Sequence, residues 1–431
     1  MSLVGSFYSA ISGLNNHGLK MGVIGDNLAN LNTIGFKRSR ASFQDLMAYP
    51  VIGVGTESYI GRGSKLQKVE QVMSQGSFIN TGNGMDMAIQ GNGFFVVKGQ
   101  VAGQQNNFYT RAGQFHVNQD GFMVNQMNLR LQGYPTDPGG NTSSVLSDLR
   151  LKDISAPANA SSNVEMSVNM TSSETAIPAG FDITDVENTS NHSSTITVYD
   201  SLGAAHDVTT YFTKTADHTW QWNAVVEGDD SASGAAEIQA SGVLQYDSDG
   251  KLVSSTPDAG NTGFNFAGGS TANQAITFDY GDPTADGGTG LAGSTQFASG
   301  YSVTFQSQDG YPTGDLSTVV VDEEGAIEGT FTNGERRVLG YIALADFKGV
   351  GLRRMGSNVW QATAESGESL IGRANSGRRG GIASSTLEQS NVDLAQEFVE
   401  MISAQRGYQA NSRTITTADQ LFQEALNLKR G

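Results

Sequence analysis

The 431-residue chain has no cysteine, only 8 prolines, and no apolar run of the ~18–20 residues that a membrane span requires. Without cysteine there is neither a disulfide framework nor a thiolate metal site. This excludes chemistry without locating the protein, because a cysteine-free chain suits any redox compartment. Basic residues are scarce in the middle. Residues 145–330 hold 26 Asp and Glu against 4 Lys and Arg, so the remainder stands at +5 within a net charge of −17. An acidic middle of this kind stays hydrated and repels nucleic acid and anionic lipid. The opening stretch MSLVGSFYSAISGLNNHGLK lacks a basic start followed by an unbroken apolar core, and does not read as a cleavable secretory signal. Motifs for phosphate, zinc or serine chemistry are missing too: there is no GxxxxGK-Ser/Thr, no HExxH and no GxSxG.

What the chain does have is a seven-residue apolar repeat at each end. It runs through Phe7, Leu14, Met21 and Leu28 at the start, and through Leu387, Leu394, Met401, Tyr408, Ile415 and Phe422 at the close. Such spacing keeps one stripe of a helix facing a partner as the two supercoil. The pattern predicts a helix over 2–31 with Ser2 as its cap, and a second after Ser384, paired as a coiled coil. The expected packing residues are Phe7, Ile11, Leu14, Met21 and Leu28 with Leu394, Phe398, Met401, Tyr408, Ile415 and Phe422. Gly5, Gly13, Gly18, Gly22 and Gly25 interrupt the first helix, each costing roughly 0.8–1 kcal/mol relative to Ala. Close backbone approach inside an assembly would offset that cost.

Between the helices the chain reads as β structure. Its 54 glycines and abundant Ser, Thr and Asn suit turns, and Gln-Asp-Gly and Asn-Gly pieces separate alternating apolar runs as hairpins do. The order helix, β, β, β, helix excludes a doubly wound nucleotide fold. The predicted fold is α+β, mostly β, with two nested β-rich domains between paired terminal helices. Residues 1–70 form the N-terminal helix and loop, and 71–145 the first part of an inner β domain. Residues 146–295 are an inserted acidic outer domain, 296–364 complete the inner domain, and 365–431 form the C-terminal loop and helix.

Candidates for chemistry are weak. The five histidines are scattered, and His206 beside Asp207 on a strand faces the opposite way, so both read as surface positions. Asp247-Ser-Asp249-Gly250 lacks the downstream Glu of a calcium loop and reads as a hairpin turn. Trp220 and Trp222 share one strand face, which suits core packing better than a sugar-stacking platform. The cluster Lys37, Arg38, Arg40 is too short for a nucleic-acid footprint and reads as a solvated loop or a contact between subunits. No catalytic, cofactor or metal site is expected.

Three segments carry a family resemblance. DNLANLNTIGFKRSRASFQDLM (Asp26–Met47) resembles the N-terminal signature of bacterial flagellar axial proteins, the rod and hook subunits. The stretch from Ser390 to Arg430 resembles their C-terminal signature, and Gln308–Phe347 the region preceding the last helix in hook subunits. Length and the large acidic insert resemble the hook branch, rod subunits being shorter. The resemblance implies a homopolymeric tube outside the cell envelope, exported by the flagellar type III route, bending as a universal joint around an export channel. It implies distal rod, hook cap, hook–filament junction proteins and the export apparatus as partners, with no nucleic acid and no membrane insertion. It also implies that Asn30, Thr33, Gly35 and Phe36 set a loop locking neighbouring subunits, against the plainer role of fixing the turn after the first helix. A distal rod subunit is the nearest alternative, and a secreted carbohydrate-binding protein on a coiled-coil stalk a more distant one.

Overall fold

The computed structural model describes residues 3–47, 49–50, 59–137, 139–152, 154–261, 263–348 and 351–428. The expected cap Ser2 and most of the Gly53–Gly63 stretch lie outside the described residues. The chain forms two compact units: Met1–Asp153 with Thr318–Thr330 and Arg336–Gly431, and Ile154–Ser317 with Phe331–Glu335. The mostly β architecture with a long helix at each end agrees with the expectation. Among the described residues no helix is long and apolar enough to cross a membrane.

The first unit contains both long helices, Leu3–Ala29 and Leu394–Leu428. Its main sheet is built around the hairpin Phe94–Val101 and Gln104–Thr110, flanked by Arg130–Pro135, Arg336–Asp346 and Val359–Gln361. Phe94 to Val97 are buried on both sheet faces, so the run is continuously apolar rather than alternating. Phe94, Tyr109, Phe347 and Trp360 pack as edge-on aromatics at 4.7–5.9 Å. Two short strand pairs then tie in the approach to the last helix: Gly381–Ser384 on Met87–Gln90, and Thr386–Glu388 on Phe78–Asn80.

That second pairing corrects the position of the last helix. Leu387, read as the first member of the apolar repeat, sits in a strand and is buried there. The helix begins instead at Leu394, where the Asp393 carboxylate accepts the N–H groups of Ala395 (2.8 Å) and Gln396 (3.1 Å). An aspartate cap satisfies donors that the first turn leaves open.

The second unit holds a five-stranded antiparallel meander, His192–Tyr199, Ala205–Ala216, Thr219–Val226, Glu237–Tyr246 and Leu252–Pro257. Beside it in the same unit, Asn163–Asn169 is flanked by Thr277–Asp279, parallel, and Ser302–Gln308, antiparallel. The sequence reading assigns Ser302–Gln308 to the inner domain, whereas its partner strand lies here. Trp220 and Trp222 are 0% and 2% exposed at the centre of this core. Gly242 is required beneath Trp222, because a Cβ there would come within 2.6 Å of the indole nitrogen. The unit carries 21 Asp and Glu against 2 Lys, and one of these, Lys214, is buried donating to the carbonyls of Ser172 and Glu174.

Candidate assembly interface

The two long helices pack antiparallel along one another. Asn411 lies against Gly13, and the His17 ring lies over Gly407: a Cβ would meet Asn411 at 2.8 Å in the first case and His17 at 2.4 Å in the second. Each glycine thus makes room for a polar side chain of the opposite helix. Lys20 pairs with Glu400 at 3.4 Å, and Asn27 donates to the Glu397 carboxylate at 3.2 Å. Ala10, Ile24, Ala404 and Ala418 are buried on the facing sides.

The expected packing residues divide. Phe7, Ile11, Leu14, Met21 and Leu28 on the first helix, and Met401, Ile415 and Phe422 on the last, are half-buried along the helix pair. Tyr408 is slightly more exposed, at 37%. Leu394 and Phe398 stand 43% and 46% exposed, joined by Val399 and Ile402. The apolar positions of the repeat are only one part of the contact between the two helices. Glu397, Ala404, Asn411 and Ala418 also face the first helix, and being small or polar they carry no hydrophobic signal in the sequence.

The loop after the first helix is held by its own residues. Asn30 bonds back to the Asp26 carbonyl (2.8 Å), and Thr33 donates to Asn30 Oδ1 (3.1 Å). Gly35 adopts φ +69° and lies so near Arg111 and Ala112 that a Cβ would come within 2.6 Å of backbone. Positive φ and close approach both call for glycine. Phe36 is buried, with the Arg354 guanidinium 5.1 Å from its ring centroid.

Beneath this loop lies a buried charge cluster that the sequence did not disclose. Lys37 Nζ donates to Glu388 Oε1 (2.6 Å) and to the Ser74 carbonyl (2.8 Å), and both charged side chains are fully buried. Arg111 reaches Glu388 Oε2 at 3.4 Å and the Gly91 carbonyl at 2.8 Å, and the Gly76 N–H adds a bond to Glu388 Oε1. Burial pulls the Lys37 ammonium below its ordinary value, with the nearby Arg111 adding to the effect and Glu388 opposing it. Alongside, Asn391 accepts the Arg38 N–H (2.7 Å), and Arg38 approaches Glu397 at 3.5 Å. Arg40 pairs with Glu70 at the surface. Lys37 is therefore part of an internal clasp rather than a solvated loop, its partner lying 351 residues away.

Other candidates find structural roles. His206 is buried, stacked on Phe266, with its ring nitrogens facing Asp230 (3.1 Å) and Asp200 (3.3 Å), so the surface placement read from sequence is corrected. Opposed nitrogens directed at separate carboxylates do not converge on a point where an ion could sit. Asp207 instead accepts from Thr197. Asp247 accepts the N–H groups of Asp249 and Lys251 and forms the expected hairpin turn, with Gly250 at φ +81°.

Four family models match successive parts of the chain: the flagella basal body rod protein (7–37), the flagellar hook protein FlgE/F/G D1 domain (88–171), the flagellar basal body protein FlaE D2 domain (163–311) and the flagellar basal body rod FlgEFG protein C-terminal region (383–428). Helical ends, inner strands and acidic insert together define a flagellar axial protein. The flagellar hook protein FlgE of Salmonella typhimurium is 36% identical over 431 residues, covering 98% of this chain and 100% of that protein. That of Borreliella burgdorferi is 35% identical, with coverage of 98% and 99%. The chain belongs to the flagellar hook protein family. The crystal structure of Helicobacter pylori FlgE2 aligns with a TM-score of 0.45 at 16% identity, over 70% of this chain and 98% of that one; the assignment rests on the full-length relatives.

Proposed function

We propose that this chain polymerises into the flagellar hook, a bendable tube that carries torque from rod to filament and encloses an export channel. The full-length kinship with hook proteins carries the reading. In the polymer the terminal helices pair as coiled coils and line the inner wall, and the β units stack outward. Leu394, Phe398, Val399 and Ile402 support this, since a solvated helix face has no need of four exposed apolar side chains so close together. The strongly acidic second unit keeps the outer surface hydrated and lateral contacts weak enough to slip as the tube bends. Distal rod, hook cap and junction proteins are the expected neighbours. Export by the flagellar type III route is the expected path to that position.

Electron microscopy of the concentrated chain, beside a copy lacking its last 40 residues, tests the proposal. Curved hollow tubes from the full chain alone are expected. Straight tubes would point to a rod subunit, and discrete particles from both samples under polymerising conditions would overturn the reading.

A further inference from the structure

On the N-terminal helix, Gly18, Gly22 and Gly25 form a second glycine set unlike Gly13. A Cβ at any of the three would meet no atom within 4 Å, so the chain's own packing does not require them. Three interior glycines nevertheless weaken the helix relative to alanine, because each leaves more backbone entropy to be lost on folding. Gly18 and Gly22 floor an open groove of about 530 Å³ between this helix and the strand Ser64–Gln71, with Leu19, Val23 and Val69 as its apolar walls. Leu19 and Val69 are 50% and 40% exposed.

The last helix carries the complementary shape. Leu394, Phe398, Val399 and Ile402 project from a patch of about two turns. At about 100° per residue this patch is centred roughly 150° from the side facing the first helix, and the groove lies roughly 170° from the side facing the last. Ridge and groove therefore lie on opposite outer sides of one helix pair, and no chain can join its own. From the register set by Gly13–Asn411 and His17–Gly407, the two centres differ in height by about four residues, on the order of 6 Å. A ridge on one side and a groove on the other, at nearly one level, make a head-to-tail contact that winds copies into an open helix rather than closing a pair.

We propose that the groove floored by Gly18 and Gly22 receives the Leu394–Ile402 ridge of a second copy of this chain, and that this contact joins neighbours around the tube. The inference rests on the hook reading and names the surfaces that reading leaves open. Charge agrees with the fit. With ridge centred on groove, the exposed Asp393 at the leading end of the ridge arrives at the level of Asp26, where Arg354 holds its guanidinium 3.1 Å from the Asp26 carboxylate. A guanidinium fork can serve a second carboxylate as well as the first.

The cysteine-free sequence permits a direct test. The single variants Gly22→Cys and Val399→Cys, the second carrying a size tag, are mixed, polymerised and oxidised. A mixed disulfide dimer is expected at least tenfold above the dimers formed by either variant alone. Tubes without the mixed dimer would overturn the inference while leaving the hook reading intact, and would free the groove for a different partner. Absence of tubes from the unmodified chain would overturn both. Independently, Gly22→Leu fills the groove from open space, so the monomer should keep its circular dichroism spectrum while the concentration needed for tubes rises at least tenfold. Normal polymerisation by a folded Gly22→Leu would overturn the inference.

Discussion

Glu388 serves two buried cations, and the three side chains differ in how replaceable they are. Replacing Glu388 with Gln leaves Lys37 and Arg111 buried without a counter-charge, a loss of about 3–5 kcal/mol. Lys37→Met removes a cation whose charge burial already opposes, and leaves Arg111 to pair with Glu388, so its cost should be below about 2 kcal/mol. Urea denaturation of both variants checks the order. In the second unit, burial alone would raise the Asp200 carboxyl, but the Ala204 N–H, His206 and the Leu202 N–H together hold it below the ordinary 3.8. A depressed carboxylate stabilises the fold above that ordinary value, and the contribution is lost as the pH falls through the lower folded value. Asp200→Asn should therefore cost more stability near neutral pH than in acid, the difference shrinking as the pH falls below 3.8, as read from denaturation midpoints across that range. None of this was legible from sequence. Lys37 and Glu388 are distant in the chain, and Asp200 and Asp230 flank His206 only once the meander has folded.

At the scale of elements, the terminal helices were legible because a seven-residue period survives whatever surrounds it. Their detailed match was not. Leu387 continued the period by coincidence and proved to be a strand residue, since periodicity cannot detect the Asp393 cap that starts the helix later. Nor could the sequence separate two uses of glycine. Gly13 and Gly407 admit side chains of the opposite helix, whereas Gly18, Gly22 and Gly25 face open space. The first use predicts that Gly407→Val displaces the His17 ring and loosens the pair by about 1–3 kcal/mol. Faster amide exchange along both helices, with the β units unaffected, is the expected observation.

At the scale of the whole molecule, the acidity of the middle of the chain is plain in the sequence, and its turn chemistry and alternation suit the strands found there. The limits of the second unit are not legible there, because Ser302–Gln308 pairs with Asn163–Asn169 and strand pairing leaves no local mark in sequence. The core around Trp220, Trp222, Phe212, Phe264 and Tyr280 is drawn entirely from within the second unit. Residues 154–317 expressed alone should accordingly fold. A β-rich circular dichroism spectrum and one cooperative thermal transition are the expected result, and a noncooperative melt would show that the first unit is needed.

The clasp at Glu388 also sets an order of events. Any chain delivered from its N-terminal end presents Lys37 long before the carboxylate that neutralises it, and Asn27 long before Glu397, 370 residues later. Loop closure over such separations is slow, so the helix pair is among the last features to form. An incompletely delivered chain has no finished ridge and no settled helix pair to offer a neighbour. On the proposed ridge-and-groove contact, a truncated copy is expected to fail to join the polymer, because the helix that carries the ridge is the last part of the chain delivered.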